Sequence, residues 1–519
     1  GVSGGNGSIV SQEELAEYCV DDPETKLLCM YMEGIKKPEV VYRLFKKCID
    51  RKVPCVVLKS GRSRKGAISA SSHTGNLAGS YESFRAVFDK YGVLSPDGVE
   101  EYYGLESVLD TLKGNLPRSN RFAIVCRSGG EATMSADLAE RHGLFLPDIT
   151  PETQSRINAM MPDFGTAKNP LDMTAGLLGD PVKLSATLNL LAEDPNIDAM
   201  IVAFDFAELD LDLGYDMNTF LGNPVLECAA KHPDVPIFVM PQYEQKRNLD
   251  WRMKLRAAGV PILPPAEIGY KLIGTLIRFM EYDPSAHRLE WAVPDRYPEN
   301  AKPMSEYDSK RELSCAGIPV PEQTVVRSAE ELRDACRVFG YPLVLKINSP
   351  DILHKTEAGG VRLNIRTPEE AREAYDGILS ACRAYAPNAR LDGVLVQKMA
   401  PSGAEVILGV KNDRQLGPLL LVGLGGVFVE VFRDTALIPC PISLEEAHAQ
   451  LKKLRSYKLL TGYRGSTPLD TDALAELMVK VSEYAAANKN TLKEMDINPV
   501  YVYEKGEGLC VIDALIVKE

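Results

Sequence analysis

A histidine stands in the middle of a run of small residues, Ile68–Asn76. His73 follows the apolar run Cys55–Lys59 and a loop with basic residues, and it precedes a helix-like segment that starts at Gly79. A neutral imidazole nitrogen is a nucleophile, and small neighbours leave its side chain room to reach out of the loop. His73 is therefore a candidate functional residue. The alternative is a loop histidine that bonds to its own backbone.

Lysine, asparagine and aspartate side chains in the C-terminal part of the chain form a second candidate set. Lys346 ends the strand-like run Tyr341–Lys346, and Asn498 and Asp513 lie on two neighbouring strand-like runs. Lysine neutralises phosphate charge, glycine-rich stretches such as Gly423–Gly426 admit phosphate to backbone N–H groups, and oxygen ligands hold Mg²⁺. Together these residues predict nucleotide phosphate transfer with a Mg²⁺ site, although each residue taken singly is more often structural.

Two features in the N-terminal part predict anion binding and imidazole support. Gly129 and Gly130 follow the run Phe122–Cys126 and open a helix, where free N–H groups and the helix dipole favour an anion. Glu33 follows the run Lys26–Met32 and can accept a hydrogen bond from an imidazole, which fixes the tautomer. The alternative for Glu33 is a cap on the following helix.

Alternating strand-like and helix-like runs must position these side chains, and they predict parallel α/β sheets with chemistry at the carboxyl ends of the strands. The polar stretch Gly114–Asn120 predicts a boundary, and the proline-bearing stretch Glu281–Pro303 predicts an interdomain linker. Acidic residues between Asp205 and Asp216 are expected on a solvated surface rather than in a cation pocket. The expected segments are 1–115, 121–282, a linker at 283–304, and 305–519.

Composition narrows the function classes. A chain of 519 residues can form several domains, and its net charge of −13 argues against a nucleic-acid partner. Eleven cysteines without a CxxC pair fit free thiols in a reducing cytoplasm. No apolar run is long enough to span a bilayer and no signal peptide is visible, so no membrane partner is expected. Because the chain starts at Gly1, it is expected to be a fragment, a processed chain or one subunit.

The order of several short motifs resembles the NDP-forming acyl-CoA synthetases, relatives of succinyl-CoA synthetase typified by ADP-forming acetate:CoA ligase. The motifs that carry this resemblance are Glu33-Gly34, Ser72-His73-Thr74-Gly75, Ser128-Gly129-Gly130, Asn169-Pro170-Leu171-Asp172, His354-Lys355 with Gly359-Gly360, Gly423 to Gly426, and Asp496-Ile497-Asn498-Pro499. The resemblance covers nearly the whole chain. It implies two flavodoxin-like parallel-sheet domains, the first carrying a phosphohistidine loop, followed by an ATP-grasp module.

The resemblance also implies an enzyme that interconverts a carboxylic acid, CoA and ATP with acyl-CoA, ADP and phosphate. His73 would take the phosphoryl group from an acyl phosphate, with Glu33 supporting the phosphohistidine. The acyl phosphate site would lie at Gly129 and Gly130, and the acyl pocket between the first two α/β units, near Gly129 and Asn169. Short-chain, branched and aryl acids are all compatible with this prediction.

Further residues take roles only through the resemblance. Asp496 would lie near the phosphohistidine when it visits the nucleotide, and His354 would relay the phosphoryl group, as in some members. The residues expected to bind phosphate, nucleotide or Mg²⁺ are Thr74, Gly75, Lys310, Lys346, Gln397, Lys398, Met399, Glu405, Asn498 and Asp513.

The family normally has an N-terminal CoA-binding domain, which is expected on a separate subunit, removed, or absent from this chain. A homo- or hetero-oligomer is expected. Two alternative functions stay open: an acyl-CoA-sensing homologue without turnover, as in some bacterial protein acetyltransferases, and an ATP-grasp ligase that releases acyl phosphate without a phosphoenzyme.

Overall fold

A computed structural model of the chain describes residues 1–2, 9–63, 65, 80–163, 165–174, 177, 179–208, 216–243, 246, 248–352, 354–425 and 434–519. His73, Thr74 and Gly75, which carry predicted roles, lie outside this set. The chain divides into two compact units. The first comprises 1–34, 43–75 and 91–283, and the second comprises 35–42, 76–90 and 284–519.

The helices of the described chain are α1 Gln12–Asp21, α2 Pro38–Arg51, α3 Tyr81–Lys90, α4 Val99–Leu112, α5 Gly129–Arg141, α6 Pro151–Asn158, α7 Pro181–Glu193, α8 Met217–Lys231, α9 Leu249–Ala257, α10 Ala266–Met280, α11 Glu306–Cys315, α12 Ala329–Phe339, α13 Pro368–Tyr385, α14 Leu444–Lys453, α15 Tyr457–Leu460 and α16 Thr471–Ala487.

The strands are β1 Leu28–Met32, β2 Cys55–Lys59, β3 Phe122–Cys126, β4 Leu171–Asp172, β5 Ala199–Val202, β6 Ile237–Val239, β7 Lys302–Pro303, β8 Gln323–Val326, β9 Leu343–Asn348, β10 Val361–Ile365, β11 Gly393–Lys398, β12 Ala404–Asp413, β13 Gly417–Leu424, β14 Thr435–Pro439, β15 Leu492–Val502, β16 Leu509–Val511 and β17 Ala514–Lys518.

The first unit contains two parallel sheets. Strands β1 and β2 pair in parallel, with Met32 opposite Lys59, and β4-β3-β5-β6 form a four-stranded parallel sheet. The two faces of β3 enter different cores: Ala123 and Val125 pack on one side, and Phe122, Ile124 and Cys126 pack on the other. Burial on both faces explains why these strands read as unbroken apolar runs. The predicted parallel α/β class is confirmed.

The second unit contains two largely antiparallel sheets. One has the order β10-β9-β11-β8, and the other has the order β14-β13-β12-β15-β17-β7, with β16 paired to β15. Each sheet packs its apolar face against helices, α12 and α13 in the first and α14 and α16 in the second. The strand pairing of this unit therefore differs from the parallel pairing of the first unit.

Helix α3, which follows the His73 loop in the chain, belongs to the second unit and packs against β14. Its last residue, Lys90, is buried and donates hydrogen bonds to the carbonyl oxygens of Pro439 (3.1 Å) and Pro441 (2.6 Å). Lys90 also pairs with Glu446 of α14 at 3.3 Å. Buried polar contacts therefore fix the C-terminal end of α3.

The stretch 283–304, expected as a linker, makes contacts within the second unit. Trp291 stacks on Tyr42 with ring centroids 6.3 Å apart, and Arg288 pairs with Glu483 at 2.8 Å. The four segment boundaries remain a prediction. Among the described helices, none combines the length and the apolar character that crossing a membrane requires.

Candidate active site

A buried cluster of charges lies in the second unit around Glu306. This residue is the first of α11, whose N-terminus is capped by Ser305. One carboxylate oxygen, Oε1, lies 2.8 Å from Lys310 Nζ and 2.6 Å from Lys346 Nζ, and Oε2 lies 2.6 Å from Lys355 Nζ. The side chain of Glu306 is 1% exposed. Three ammonium groups thus converge on one buried carboxylate.

The secondary structure explains why the lysines meet. Lys310 follows Glu306 by one helical turn, so both face the same side of α11. In the sheet, Lys346 of β9 pairs with Leu395 of β11, and Gln397 lies two residues further along the same face. Lys310 Nζ donates to Gln397 Oε1 at 2.6 Å. The structure therefore brings together three predicted nucleotide-binding residues, Lys310, Lys346 and Gln397.

Burial and charge shift the pKa values in this cluster. Burial raises the pKa of Glu306, but Lys346, Lys310 and Lys355 lower it more, and the net pKa lies well below its usual range. Burial lowers the pKa of Lys310 to about 8, against the opposing effect of Glu306. Burial also lowers the pKa of Lys355, but Glu306 and Asp513 reverse this and the net pKa is raised. The arrangement suits an anion that replaces or joins the carboxylates.

The predicted metal ligands Asn498 and Asp513 lie on neighbouring segments of the same unit. The backbone N–H of Asn498 donates to the carbonyl oxygen of Asp513 at 3.2 Å. Asp496 lies two residues before Asn498 on β15, and both side chains reach solvent. Partial desolvation raises the pKa of Asp496, and the negative charges of Asp513 and Glu494 raise it further. A cation would relieve this repulsion between carboxylates.

Four predicted residues lie outside the lysine cluster. Lys398 follows Gln397 on β11 and so points to the opposite face, where it lies 3.8 Å from Glu322. The backbone N–H of Met399 donates to Pro342 O at 3.1 Å. Glu405 is exposed, and its carbonyl accepts a bond of 2.8 Å from Gly425 N. His354 is exposed, and its carbonyl accepts from Ala358 N at 3.2 Å.

The predicted anion site in the first unit lies at the start of α5. Ser128 is the N-cap and accepts a bond from Glu131 N, while Gly129 and Gly130 form the exposed first turn. Asp172 at the end of β4 lies close by, because a Cβ added to Gly129 would sit 3.2 Å from Asp172 Oδ2. The other oxygen of Asp172 accepts from Thr174 N at 2.9 Å. Gly129 therefore admits a close approach that a larger residue would obstruct.

Arg127, the residue between β3 and this turn, is held by two carboxylates. Its Nη1 lies 2.6 Å from Asp205 Oδ2, and its Nη2 lies 2.6 Å from Glu131 Oε1. The expected solvated surface was wrong for Asp205, which is buried after β5 because Arg127 provides its counter-charge. Burial raises the pKa of Asp205 although Arg127 opposes the shift.

A cavity of about 300 Å³ adjoins Asp205. Aromatic and aliphatic side chains, among them Tyr103 of α4, Phe204 and Phe206 after β5, and Leu263 after α9, line this cavity together with the charged residues Glu100, Asp205 and Arg252. Asn169, near which the sequence predicts the acyl pocket, forms hydrogen bonds within the sheet. Its side chain accepts from Ile124 N at 3.0 Å and donates to Phe122 O at 2.8 Å, so it ties the sheet together.

Glu33 and a buried lysine lie at the ends of the paired strands β1 and β2. Lys59 Nζ donates to the carbonyl oxygen of Glu33 at 2.8 Å and also to that of Ser60. The hydroxyl of Tyr31 lies 3.5 Å from Glu33 Oε1. Burial lowers the pKa of Lys59 to about 8, despite the nearby Glu33 carboxylate. Lys59 thus holds the backbone from which Glu33 projects.

Sequence reasoning missed four residues of these clusters: Glu306, Lys355, Arg127 and Lys59. Arg127 and Lys59 carried a usable signal, since each lies at the carboxyl end of a strand-like run. Lys355 directly follows His354, to which the family resemblance assigns a role. Glu306 reads as an ordinary acidic residue in the first turn of a helix, and its buried role depends on lysines that are distant in sequence.

Comparison with protein-family models gives matches along most of the chain. A succinyl-CoA ligase like flavodoxin domain matches residues 1–109, a ligase-CoA domain matches 122–219, and an ATP-grasp domain matches 297–517. The predicted C-terminal ATP-grasp module is thereby confirmed.

Curated relatives match over nearly the full chain. An acetate–CoA ligase [ADP-forming] I of Archaeoglobus fulgidus is 33% identical over 97% of this chain and 72% of its own length. A trans-feruloyl-CoA synthase from an unknown prokaryotic organism is 32% identical over 100% of this chain and 72% of its own length. Among solved structures, the dinucleotide forming acetyl-coenzyme A synthetase 1 of Ca. Korarchaeum cryptofilum is 41% identical, with a TM-score of 0.41, over 42% of this chain and 94% of that one.

Proposed function

The chain belongs to the NDP-forming acetate–CoA ligase family, and we propose that it interconverts a carboxylic acid, CoA and ATP with an acyl-CoA, ADP and phosphate. In the proposed route, phosphate attacks the acyl-CoA and releases CoA, which leaves an acyl phosphate. A nitrogen of His73 then takes the phosphoryl group and releases the carboxylate. The bond from this nitrogen to phosphorus breaks when an oxygen of ADP takes the group to form ATP.

The buried lysine cluster around Glu306 is the observation that carries this proposal. Lys310, Lys346 and Lys355 lie within 2.8 Å of the Glu306 carboxylate, and Lys346 also donates to the carbonyl of Ile512 at 3.2 Å. Phosphoryl transfer rests on positioning and on neutralising phosphate charge, which these side chains supply in a site with little water. The cluster is therefore the proposed nucleotide-phosphate site.

Asp513 and Asn498 would hold Mg²⁺. Both offer oxygen atoms, and the carboxylates of Asp496 and Glu494 on β15 add negative charge near Asp513. Mg²⁺ is commonly held by one or two protein oxygens together with substrate phosphates, so a small protein ligand set fits it. When bound, the metal would neutralise charge on the transferring phosphoryl group.

In the first unit, the proposed acyl phosphate site is the turn at Gly129 and Gly130. We further propose that the acyl group occupies the cavity that Asp205 lines, against its aromatic and aliphatic side chains, since Asp205 and the turn are linked through Arg127. Glu33 is proposed to orient the imidazole of His73, with its backbone held by Lys59. The roles of Thr74, Gly75, His354, Lys398, Met399, Glu405 and Asp496 also stay predictions.

Phosphoenzyme formation tests the route. Incubation with Mg²⁺ and ATP labelled at the γ-phosphate should give a protein-bound label that is labile in acid and stable in base. His73→Ala should abolish the label, whereas His448→Ala, which replaces a histidine of α14 remote in sequence from every proposed role, should retain it. Labelling that persists in His73→Ala would overturn the assignment of His73.

The same experiment separates the alternative functions. A sensing homologue would bind nucleotide and acyl-CoA without any label. A ligase without a phosphoenzyme would release ADP in the presence of a carboxylic acid and CoA, also without label. Screening acetate, branched acids and cinnamic acids for CoA-dependent ADP release would then define the acyl group.

A further inference from the structure

Lys355 bridges the two carboxylates of the proposed nucleotide site. Its Nζ lies 2.6 Å from Glu306 Oε2 and donates to both oxygens of Asp513, at 3.1 Å each. The side chain is 14% exposed, so few water molecules compete for the ammonium group. Lys355 donates to both Asp513 oxygens, whereas Lys346 Nζ lies farther away, 3.5 Å from Oδ2.

The ammonium group of Lys355 occupies the position that a cation would need. A metal bound by Asp513 would use the same carboxylate oxygens that Lys355 holds, and two cations at one carboxylate repel each other. Lys310 and Lys346 have other partners, since both donate to the carbonyl oxygen of Ile512, at 3.3 Å and 3.2 Å. A metal bound at Asp513 would therefore compete mainly with Lys355 for the carboxylate oxygens.

The backbone at Lys355 is fixed, so only its side chain needs to move. The carbonyl oxygen of Lys355 accepts a bond of 2.7 Å from Gly360 N, and Gly359 N donates to Thr356 O at 3.1 Å. A Cβ at Gly360 would lie 3.0 Å from Lys355 O and 2.6 Å from Ile347 Cγ2. The loop is thus closed tightly on itself, whereas the four-carbon lysine stem can rotate.

We propose that Lys355 acts as a resident counter-ion on Asp513 that excludes a divalent cation until nucleotide binds. Phosphate oxygens then replace the carboxylate as the partner of Lys355 and free Asp513 for the metal. The protein consequently binds Mg²⁺ as a metal–nucleotide complex and binds the free ion poorly. In this scheme Lys355 neutralises Asp513 before nucleotide binds and contacts the nucleotide phosphate afterwards. The inference rests on the proposed nucleotide-dependent function.

The test measures binding of Mn²⁺, a paramagnetic stand-in for Mg²⁺, by electron paramagnetic resonance of the free ion. Without nucleotide, Lys355→Met should bind Mn²⁺ on the order of 10-fold tighter than the wild-type protein, in the range of effects seen for residues that act on metal ligands. With ADP present, the tighter Mn²⁺ binding of Lys355→Met should disappear or reverse, because the variant lacks the ammonium group that contacts the ADP phosphates. Asp513→Asn combined with Lys355→Met should abolish the gain.

Lys411→Met is the matched control, because Lys411 is an exposed lysine of the same unit, and it should bind Mn²⁺ as the wild-type protein does. Lys355→Arg, which keeps the charge, should also bind free Mn²⁺ weakly. Lys355→Gln, which removes the charge but keeps a polar tip, should bind free Mn²⁺ more tightly than the wild type and replaces Lys355→Met if the methionine variant does not fold. Equal Mn²⁺ affinity of Lys355→Met and wild type without nucleotide overturns the proposal. Absence of ADP binding to the wild-type protein would instead refute the proposed function, and the metal-only comparison would still decide the role of Lys355.

Discussion

The ion pair between Lys90 and Glu446 allows a quantitative prediction, because both side chains are 1% exposed. Glu446 also has partners besides Lys90: its Oε2 accepts from the backbone N–H groups of Ser443 (2.8 Å) and Arg288 (3.1 Å), and His287 Nδ1 lies 3.0 Å from Oε1. The proposed perturbations are Lys90→Met and Glu446→Gln. The amide keeps an acceptor for the helix cap, so this change mainly removes charge.

Breaking a buried pair by removing one partner costs about 3–5 kcal/mol, because the other charge stays buried without compensation. For Lys90→Met we expect the lower end, about 3 kcal/mol, since Glu446 keeps two backbone N–H groups and His287. For Glu446→Gln we expect about 4 kcal/mol, since Lys90 loses its carboxylate partner and the carbonyl oxygens of Pro439 and Pro441 do not neutralise its charge. The double variant should cost less than the sum of the two by about 1–3 kcal/mol.

The assay uses the two tryptophans of the chain. Trp251 belongs to the first unit and Trp291 to the second, so in a Trp251→Phe background the fluorescence of Trp291 reports unfolding of the second unit. Urea titrations of the background, both single variants and the double variant give a double-mutant cycle.

An exposed pair on α13 is the control for this cycle. Arg372 and Asp376 lie 2.9 Å apart with side chains 58% and 60% exposed, and Arg372→Gln should change the free energy of unfolding by no more than about 0.5 kcal/mol. A Lys90→Met effect as small as this control, or additive single effects, would refute the reasoning that the pair is a desolvated anchor for α3.

Three further predictions follow from local geometry. Gly360→Ala should destabilise the protein by about 1–3 kcal/mol, because the new Cβ would clash with its neighbours. Gly377→Ala should instead stabilise α13 by about 0.5–1 kcal/mol, because no atom lies within 4 Å of the new Cβ. Thermal unfolding of both variants and the wild-type protein measures these effects. The pKa of Lys59 is lowered to about 8 in the folded protein. Between about pH 8 and pH 10 the unfolded state therefore binds more protons at Lys59 than the folded state, and this makes the free energy of unfolding increase with pH. Lys59→Met should reduce this increase in urea titrations, and an unchanged increase would contradict the shift. Cys315, which is exposed, should react with a thiol reagent before the other cysteines, and Cys315→Ser should remove the fast phase.

The alternation of strands and helices was predictable because local patterns carry it. Runs such as Phe122–Cys126 and Ala199–Val202 are buried on both faces, so their sequences are apolar without interruption and give a direct signal for parallel strands. The start of α5 was equally readable, because Ser128 before two glycines marks a helix N-terminus. What local pattern could not show was the charge environment at the strand ends, as at Asp205.

The sequence by itself determined the family, the parallel sheets of the first unit, and most of the polar residues proposed for the nucleotide site. Tertiary structure alone decided which of these residues meet. Lys346 and Glu306 are 40 residues apart, and Lys355 and Asp513 are 158 apart, so no local periodicity links them. It also decided that Gln397 faces the lysines while Lys398 faces away, because the register of β11 against β9 sets the face. Burial then turned Glu306, an ordinary first-turn acid in sequence, into the centre of the cluster, since a desolvated carboxylate requires the ammonium groups around it.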